Sequence, residues 1–358
     1  MQKRMNTIMT LSKNKVVLGL SGGVDSTSAA LLLKEKGMEV IGFYFDVLGN
    51  NEEGRRAAED LANRLDIPFL SKDVSGDFAR IVIDNFCKEY SCGRTPNPCT
   101  LCNPAVKFKQ LIDVADEVGA YYIATGHYAK LCEIDGAYYV ERGGNENKDQ
   151  SYMLYRLGQD VLRRLIFPLG EIQDKEQTRQ MAREAAMPNA DNADSQEICF
   201  IDDKKDNHSQ FIQRRGFAPK MGNFVDAEGK VLGKHKGLLN YTIGQRKGLG
   251  IALGKPAFVV SMNPETGDVV LGDNTDLFRK EVVSKNNFFV KDGATALNEE
   301  ITVLAKIRYA AKPSKAVLKQ WGDGCILTVF EEPQRAATPG QSIVFYQNDV
   351  VIGGGIID

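Results

Sequence analysis

The stretch Ser21-Gly22-Gly23-Val24-Asp25-Ser26 stands between an apolar run at residues 16–20 and a helical pattern at 27–33. A strand that turns through paired glycines into a helix forms a cradle for phosphate, because backbone N–H groups converge on an anion at the positive end of the helix. No lysine follows the glycines, so the loop is not of the Walker type. An ordinary glycine turn capped by Asp25 or Ser26 is the alternative, but the position between strand and helix favours phosphate binding.

Strand and helix patterns alternate around this loop as far as about residue 126. Apolar runs that predict strands cover residues 16–20, 40–45, 68–74 and 121–125, and helical patterns run to residue 36 and over 53–65, 78–90 and 105–118. This alternation predicts the α/β class, with a doubly wound parallel sheet that binds ligands at the C-terminal ends of its strands.

The sequence changes character after about residue 202, where glycines and short strands dominate. Residues 234–250 are rich in Gly, Lys and Arg and predict a small loop-rich module. Short alternating runs then predict an antiparallel β-barrel or sandwich; they cover 258–262, 269–272, 301–307, 325–330, 342–346 and 350–357. We therefore predict three domains: 1–205 with the phosphate loop, a small basic central domain at 206–256, and a C-terminal β-barrel at 257–358.

Length and composition limit the classes of protein to consider. The 358 residues, 43% of them hydrophobic, suit two or three domains with substantial cores. No apolar run reaches the length of a membrane span, and residues 1–14 lack the apolar centre of a signal peptide. We expect a cytoplasmic protein without a membrane partner.

The net charge of -2 conceals a basic block at residues 204–247, which contains ten basic and three acidic residues. The basic residues are Lys204, Lys205, Arg214, Arg215, Lys220, Lys230, Lys234, Lys236, Arg246 and Lys247. A solvated surface is the common meaning of such a block, but its local field attracts a polyanion. We favour contact with a phosphate backbone.

The seven cysteines are an odd number in a long chain, which argues against a disulfide framework. Cys99 and Cys102 precede Asn103-Pro104, a good N-cap and first helical residue, so both thiols are predicted near a helix N-terminus that favours the thiolate. No second Cys/His pair has the spacing of a zinc site. Cys199 in Ile-Cys-Phe-Ile, taken alone, predicts a buried strand thiol. For the others, inert packing or chance exposure is the default; they are Cys87, Cys92, Cys132 and Cys325.

The glycine loop resembles the pyrophosphatase loop of ATPases that cleave ATP between the α and β phosphates. Together with six further segments, which follow in the family's order, it resembles the bacterial tRNA-specific 2-thiouridylases over nearly the whole chain. The six are Gly93-Arg94-Thr95-Pro96-Asn97-Pro98 with Cys102-Asn103, Ala124-Thr125-Gly126-His127-Tyr128, Asn147-Lys148-Asp149-Gln150-Ser151-Tyr152, Ile198-Cys199-Phe200-Ile201, Gly244-Gln245-Arg246-Lys247-Gly248-Leu249-Gly250 and Thr338-Pro339-Gly340-Gln341.

This resemblance implies 2-thiolation of the wobble uridine of tRNA. ATP would adenylate the uracil oxygen, and Cys199 would carry a persulfide received from a sulfur-relay protein or cysteine desulfurase and attack the activated carbon. Cys102 would then attack the persulfide sulfur, which leaves a Cys102–Cys199 disulfide for reduction. Asp25 would help to place Mg²⁺, and Ser21 and Ser26 would bond phosphate oxygens.

The resemblance also assigns binding residues. The nucleotide would contact Gly19, Leu20, Ser21, Gly22, Gly23, Val24, Asp25, Ser26, Phe45 and Gly126. The target base would contact Asn97, Pro98 and Cys99. The rest of the tRNA would contact His127, Lys148, Asp149, Gln150, Arg308, Tyr309 and Gln341.

The chain departs from the family's pattern in three places. Cys99 occupies a position that is often aspartate, Pro104 replaces a frequent basic residue, and the segment after Phe45 is short and lacks an acidic, tryptophan-containing stretch. Cys99, Cys102 and Cys199 could instead hold a [4Fe-4S] cluster, with Cys99 as a third thiolate.

Two other functions stay open from the sequence. Another pyrophosphatase-loop enzyme, such as an amide ligase, would use the loop without the cysteine pair. A noncatalytic paralogue would bind only tRNA or a sulfur carrier, but such a protein has no need of both the loop and the cysteines.

Overall fold

The structure, a computed structural model, describes residues 11–192, 198–201, 207–294 and 296–358. Over these residues the chain forms two compact units. The first comprises the described parts of Met1–Gly76, Asn103–Ser151 and Leu157–Asp194, and the second comprises the described parts of Asp77–Cys102, Tyr152–Arg156 and Ser195–Asp358. Across the described ranges, no helix combines the length and apolar character that a membrane span requires.

The regular elements are as follows. The α-helices are α1 (Val24–Glu35), α2 (Glu52–Arg64), α3 (Ser75–Phe78), α4 (Asp84–Ser91), α5 (Pro98–Cys102), α6 (Phe108–Glu117), α7 (Gln159–Leu162), α8 (Lys175–Glu184) and α9 (His208–Arg214). The strands are β1 (Ser12–Gly19), β2 (Glu39–Asp46), β3 (Phe69–Asp73), β4 (Ala120–Ala124), β5 (Ala129–Ile134), β6 (Ala137–Arg142), β7 (Leu165–Ile166), β8 (Asn223–Val225), β9 (Val231–Lys234), β10 (Phe258–Met262), β11 (Val269–Gly272), β12 (Phe278–Phe289), β13 (Ile301–Lys306), β14 (Ser314–Gln320), β15 (Ile326–Arg335), β16 (Ser342–Gln347) and β17 (Val350–Ile357). Ala79–Ile83 and Asn103–Lys107 form π-helical turns, and Ser151–Leu154, Leu238–Asn240 and Asn274–Leu277 form 3₁₀ turns.

The first unit is built on a parallel sheet with the strand order β3-β2-β1-β4-β7. Val17 in β1 pairs with Ile41 on one side and with Ile123 on the other. The chain order reverses at β1, so the C-terminal end of β1 is the topological switch point, where sheets of this kind bind ligands. The glycine loop leaves the sheet at this point. The predicted doubly wound parallel sheet is confirmed.

The buried strand β1 shows why the apolar run at 16–20 was informative. Val16, Val17 and Leu18 have 0% exposure. A parallel strand that is covered on both faces requires a continuous apolar run instead of alternation. The predicted helix at 78–90 is less regular, because it begins at α3 and contains the π-helical turn Ala79–Ile83 before α4.

The hairpin of β5 and β6 was not predicted. Its strands pair antiparallel from Ala129 with Arg142 to Ile134 with Ala137. The two residues between the strands, Asp135 and Gly136, both have positive φ (51° and 75°). Asp-Gly is a preferred pair for such a tight turn, so the sequence did carry a signal for this hairpin.

The second unit contains a small sheet with the order β10-β11-β8-β9. The strands at 258–262 and 269–272 were predicted to belong to the C-terminal barrel, and this prediction was wrong. Alternation identifies a half-buried strand but does not identify its neighbours. The proposed domain boundaries stay a prediction, and the boundary between 205 and 206 falls outside the described residues.

The predicted C-terminal β-barrel is confirmed. Six antiparallel strands follow the order β12-β15-β14-β13-β16-β17, and a further pairing of β12 with β17 closes the barrel. Leu318, Phe330 and Phe345 lie in its core. β12 and β14 were not predicted; in β12 the register shifts between Lys285 and Phe288, which interrupts the alternation that marks a strand.

Candidate functional site

Hydrogen bonds among its own residues hold the glycine loop. The Ser26 hydroxyl donates to the Gly23 carbonyl (2.9 Å) and accepts from the Ser21 N–H (3.2 Å). Gly22 has a φ of 84°, in the left-handed region that favours glycine. These bonds and this conformation define the shape of the loop.

Helix α1 begins directly at the end of this loop. Gly23 is the N-cap residue and makes no side-chain capping hydrogen bond. The first N–H groups of a helix have no partner within the helix, and a phosphate group at the positive helix end satisfies them. The loop therefore has the donors that phosphate binding requires.

Asp25, in the first turn of α1, is held by two residues that the sequence analysis did not assign to the site. Lys175 Nζ lies 2.5 Å from Asp25 Oδ1, and the Tyr128 hydroxyl donates to the same oxygen at 2.6 Å. The ammonium also lies 5.6 Å from the centroid of the Tyr128 ring. Because Lys175 is 150 positions from Asp25 in the chain, no local pattern could reveal the pair.

Asn189 is a further contact that the sequence did not reveal. Its Nδ2 donates to the Gly22 carbonyl (2.8 Å) and to Thr27 Oγ1 (2.9 Å). Its Oδ1 is buried and has no hydrogen-bond partner among the residues that the structure describes. Through these two hydrogen bonds, Asn189 stabilises the left-handed turn of the loop at Gly22.

Gly126 follows β4, the neighbour of β1, and lies directly against the start of α1. A Cβ atom at Gly126 would lie 2.9 Å from Asp25 C and 3.0 Å from Ser26 N. Real Cβ atoms do not approach backbone so closely, so any larger residue must displace the loop or the strand end. Glycine is required here for close approach.

We expect Gly126→Ala to weaken ATP binding by about 5- to 150-fold, because overpacking typically costs about 1–3 kcal/mol and here displaces the loop. Gly76→Ala is the matched control, because a Cβ at Gly76 meets no atom within 4 Å. Calorimetric titration of both variants with ATP checks the prediction. Equal affinity of the two variants would contradict it.

Phe45 borders the loop on the side of β2. A Cβ atom at Gly19 would lie 3.2 Å from Phe45 Cε2, so the ring covers the end of β1. Leu20 and Val24 are buried, with 1% and 4% exposure, so only their backbone can face a ligand. Together with the contact of Gly126, these positions bring the residues predicted for the nucleotide to one end of the sheet.

The helix that carries Cys99 and Cys102 begins earlier than predicted. Asn97 Oδ1 accepts from the Cys99 N–H (3.1 Å), and Pro98 is the first helical residue of α5. The prediction that Asn103 is the N-cap was wrong, because both Asn-Pro pairs suit a helix start and the first pair is the one used. Pro104 lies in a π-helical turn, where its missing N–H is accommodated.

The three cysteines assigned to chemistry differ in exposure. Cys102 is buried, Cys99 is half-buried and Cys199 is exposed. The Ile201 N–H donates to the Ile198 carbonyl (2.9 Å), so residues 198–201 form a turn, and the prediction of a buried strand thiol was wrong. The apolar flanking residues suggested burial. In the structure Phe200 and Ile201 are buried, whereas the Cys199 side chain is exposed.

Phe200 anchors the turn that presents Cys199. Its ring packs against Phe86 and Phe211, with centroid distances of 5.2 and 5.4 Å. Phe200 is 7% exposed, whereas the neighbouring thiol faces solvent. The packing of Phe200 therefore anchors the turn, while the adjacent Cys199 thiol stays accessible.

Cys99, Cys102 and Cys199 were also the predicted alternative ligands of an iron-sulfur cluster. Within the described ranges, which include Cys99, Cys102 and Cys199, no group of three or more His, Cys, Asp or Glu side chains is placed to hold a metal ion. The arrangement of the thiols in this structure does not fit a [4Fe-4S] cluster.

Gln341 and Gly340 hold the loop that leads to α5. Gln341 Nε2 donates to the Thr95 carbonyl (2.7 Å), and the Thr95 N–H donates to the Pro339 carbonyl (2.8 Å). A Cβ atom at Gly340 would lie 2.9 Å from Thr95 N. Gln341, predicted to contact tRNA, thus positions the segment before Cys99.

His127 is partly buried and lies beside the end of strand β4. Its Nδ1 lies 2.7 Å from Thr125 Oγ1, and its ring stacks 6.1 Å from that of Phe108. Burial, assisted by the positive charge of Lys107, lowers the pKa of His127 to about 3. A neutral imidazole can donate a hydrogen bond to tRNA but cannot form an ion pair with a phosphate.

We expect the His127 ring to stay neutral as the pH falls from 7 to about 4, which NMR titration of the chain's three histidines can follow. The folded pKa lies below the unfolded value of about 6.5, so the stabilising effect of the neutral ring is complete above pH 6.5 and declines as the pH falls toward 3. Wild type should therefore lose up to about 1.4 kcal/mol more unfolding free energy per pH unit than His127→Gln. Protonation of His127 near pH 6.5 would contradict this expectation.

Residues 148–150, predicted to contact tRNA, also support the fold. The Asp149 carboxylate is buried and accepts hydrogen bonds from the Gly143 N–H (3.2 Å) and the Ser151 hydroxyl (2.9 Å). Gln150 Oε1 accepts from the Tyr128 N–H (3.0 Å). Gln150 therefore connects this segment to the tyrosine that holds Asp25, and Lys148 and Gln150 are both partly exposed.

Arg308 and Tyr309 follow β13 at the barrel. Lys306 Nζ lies 5.8 Å from the Tyr309 ring centroid, and the ring meets that of Tyr152 at 6.2 Å. Both Arg308 and Tyr309 are partly exposed. Lys306 is buried, so Arg308 is the accessible cation of this pair, and a cation with an accessible ring suits a phosphate next to a stacked base.

The basic block lies at the surface wherever the structure describes it. All eight described basic residues are exposed: Arg214, Arg215, Lys220, Lys230, Lys234, Lys236, Arg246 and Lys247. Lys204 and Lys205 lie outside the described residues.

Three family models match consecutive parts of the chain. They are described as the tRNA methyl transferase HUP domain at residues 14–203, the tRNA methyl transferase PRC-barrel domain at 209–273 and the aminomethyltransferase beta-barrel domain at 279–357. The second and third match regions that contain the small sheet and the barrel, respectively.

Similar proteins match over the full length. A protein of Clostridium botulinum named tRNA-specific 2-thiouridylase MnmA 2 is 47% identical and covers 97% of this chain and 99% of its own length. A tRNA-specific 2-thiouridylase MnmA of Clostridium perfringens is 46% identical with the same coverage. Among solved structures, an NMN synthetase from Francisella tularensis covers 50% of this chain and 66% of its own at 17% identity, but its TM-score of 0.33 supports no inference.

Proposed function

Because this chain belongs to the family of tRNA-specific 2-thiouridylases, we propose that it is a tRNA sulfurtransferase that replaces oxygen by sulfur at carbon 2 of the wobble uridine. The similarity to full-length relatives at 47% identity carries the proposal. The family models are described as methyl transferase domains, but methyl transfer needs neither a phosphate cradle nor a pair of reactive thiols. The chemistry of the site therefore favours thiolation.

The first step activates the uracil carbonyl, whose oxygen is a poor leaving group. Uracil O2 bonds to the α-phosphorus of ATP, the bond from that phosphorus to the β-phosphate oxygen breaks, and pyrophosphate leaves with the electron pair while the N3 proton passes to water. The N–H groups of the first turn of α1 and the hydroxyl of Ser21 support binding of the triphosphate, whereas the Ser26 hydroxyl already donates to the Gly23 carbonyl and holds the loop. Asn97, Pro98 and Cys99 are the proposed contacts of the base.

Mg²⁺ is proposed to accompany ATP, and the Asp25 carboxylate fits it as a hard oxygen ligand. The side chain of Asp25 is 34% exposed, so it is accessible to a bound ion. Mg²⁺ would offset the charge of the phosphates.

The second step transfers sulfur through Cys199 and Cys102. The terminal sulfur of a Cys199 persulfide attacks carbon 2, and AMP leaves with the electron pair of the C2–O bond. Cys102 Sγ then attacks Cys199 Sγ, and the electron pair of the S–S bond passes to the sulfur on carbon 2. A disulfide between the two cysteines remains for reduction. Exposure of Cys199 supports its loading by a sulfur-relay protein or cysteine desulfurase.

The tRNA contacts are proposed to include the exposed basic block of the second unit, because lysine and arginine side chains bind a phosphate backbone without regard to sequence. His127, residues 148–150, Arg308 and Tyr309 are the proposed further contacts. A cytoplasmic location, where tRNA is found, belongs to the same proposal.

Reconstitution tests the function. Protein purified without air is incubated with ATP, Mg²⁺, a sulfur source and unmodified tRNA, and the digested tRNA is examined for 2-thiouridine by mass spectrometry. Iron in the active sample would support the cluster mechanism against the persulfide mechanism. Adenylation of another substrate that survives Cys199→Ser would support an amide ligase, and unchanged tRNA thiolation after deletion of the gene would support a noncatalytic role.

A further inference from the structure

We propose that Lys175 is a further catalytic residue, the cation that neutralises the pyrophosphate leaving group when ATP is cleaved at the glycine loop. This inference rests on the proposed ATP-dependent activation. In Walker loops a lysine within the loop reaches the β and γ phosphates, whereas this loop contains no lysine. The structure places Lys175, from a distant part of the chain, beside the first turn of α1.

The position of Lys175 is unfavourable for its own helix. Lys175 is the first residue of α8, directly after the N-cap residue Asp174. The positive end of the helix dipole disfavours a cation there. The Lys175 side chain is only 13% exposed, so its charge is also largely removed from water. Glutamine could bond to Asp25 without either cost, so what the charge itself adds is neutralisation of a negative group, which is the Asp25 carboxylate in this structure and a phosphate when ATP is bound.

The surrounding contacts hold the ammonium next to the loop. Tyr128 and Lys175 share Asp25 Oδ1, and the Thr178 hydroxyl donates to the Lys175 carbonyl (2.7 Å). Helix α8 is in turn joined to α1, because the Ser28 hydroxyl donates to the Thr178 carbonyl (2.8 Å). The two helix starts are therefore fixed side by side.

Binding of ATP with Mg²⁺ changes the charges that surround the Lys175 ammonium. When Asp25 takes part in placing Mg²⁺, a second cation on the same carboxylate is repelled, while the phosphates offer new negative charge nearby. The flexible stem of lysine lets Nζ turn from Asp25 toward the β and γ phosphate oxygens. Negative charge on these oxygens grows as the bond to the α-phosphorus breaks, so the contact is stronger in the transition state than in bound ATP.

Lys175→Gln tests this role, because glutamine retains a hydrogen-bond donor toward Asp25 but carries no charge. The matched control is Lys109→Gln, which removes the charge from an exposed ion pair with Asp113 (2.8 Å) in the same unit. Lys175→Arg tests for rescue by a retained charge. Thermal unfolding confirms that each full-length variant is folded.

Two measurements distinguish a catalytic role from a structural one. Titration with Mg²⁺-pyrophosphate should show about 10- to 100-fold weaker binding in Lys175→Gln, with AMP binding unchanged and partial recovery in Lys175→Arg. In thiolation, kcat should fall about 10²- to 10³-fold while KM for ATP changes less. Pyrophosphate binding and kcat equal to wild type in folded Lys175→Gln would overturn the proposal. If wild type forms no thiouridine, the proposed function fails, and the pyrophosphate titration still decides the role of Lys175.

Discussion

Cys199→Ser and Cys102→Ser are each expected to reduce thiouridine formation at least about a thousandfold, while ATP binding stays within about twofold of wild type. Serine lacks the sulfur that carries or resolves a persulfide, so no other step can replace the lost one. Both cysteines lie in the second unit, whereas the glycine loop lies in the first, which is why nucleotide binding should survive. Mass spectrometry of digested tRNA and calorimetric titration with ATP measure the two quantities.

The chain provides a matched control for each cysteine. Cys92 is exposed like Cys199, and Cys87 is buried like Cys102. Burial raises the pKa of the Cys87 thiol, which keeps it protonated and unreactive. Cys92→Ser and Cys87→Ser should therefore retain thiolation. Loss of thiouridine in the controls as well, or its persistence in Cys199→Ser, would contradict the assignment.

The nucleotide end of the sheet was predictable because its signals are local. The glycine loop, the apolar run of β1 and the start of α1 are adjacent in sequence, and parallel-sheet topology places the ends of neighbouring strands together. Gly126, at the end of β4, comes to the loop for the same reason. Lys175 and Asn189 arrive through tertiary packing of a later helix and its following segment, which no periodicity encodes.

The cysteine segments show where local patterns mislead. Asn97-Pro98 and Asn103-Pro104 carry the same helix-start signal, and only the structure shows which pair begins the helix. Ile198, Phe200 and Ile201 suggested a buried strand, yet a single turn buries Phe200 and leaves the intervening thiol exposed. In the barrel, the irregular register of β12 hid a strand of 12 residues from an analysis based on alternation.

Asp25→Asn is expected to lower thiolation about 10²- to 10³-fold and to abolish the dependence of ATP affinity on Mg²⁺. An amide keeps the shape of the side chain and its bond to the Tyr128 hydroxyl, but it is a weaker ligand for Mg²⁺ than a carboxylate and no longer pairs with the ammonium of Lys175. Calorimetric titration with ATP, with and without Mg²⁺, measures the effect. Asp113→Asn, which removes the acidic partner of an exposed ion pair, is the matched control.

Combining Asp25→Asn with Lys175→Gln separates the two roles proposed at the loop. If Asp25 served only to neutralise Lys175, the double variant would regain affinity for ATP, because no unpaired charge would be left in a largely buried place. If Asp25 places Mg²⁺ while Lys175 meets the pyrophosphate, the losses in kcat persist in the double variant and exceed either single loss. Recovery of thiolation in the double variant would show that the Asp25–Lys175 ion pair is structural. This double-mutant cycle therefore decides whether the charges at the start of α1 serve the fold or the cleavage of ATP.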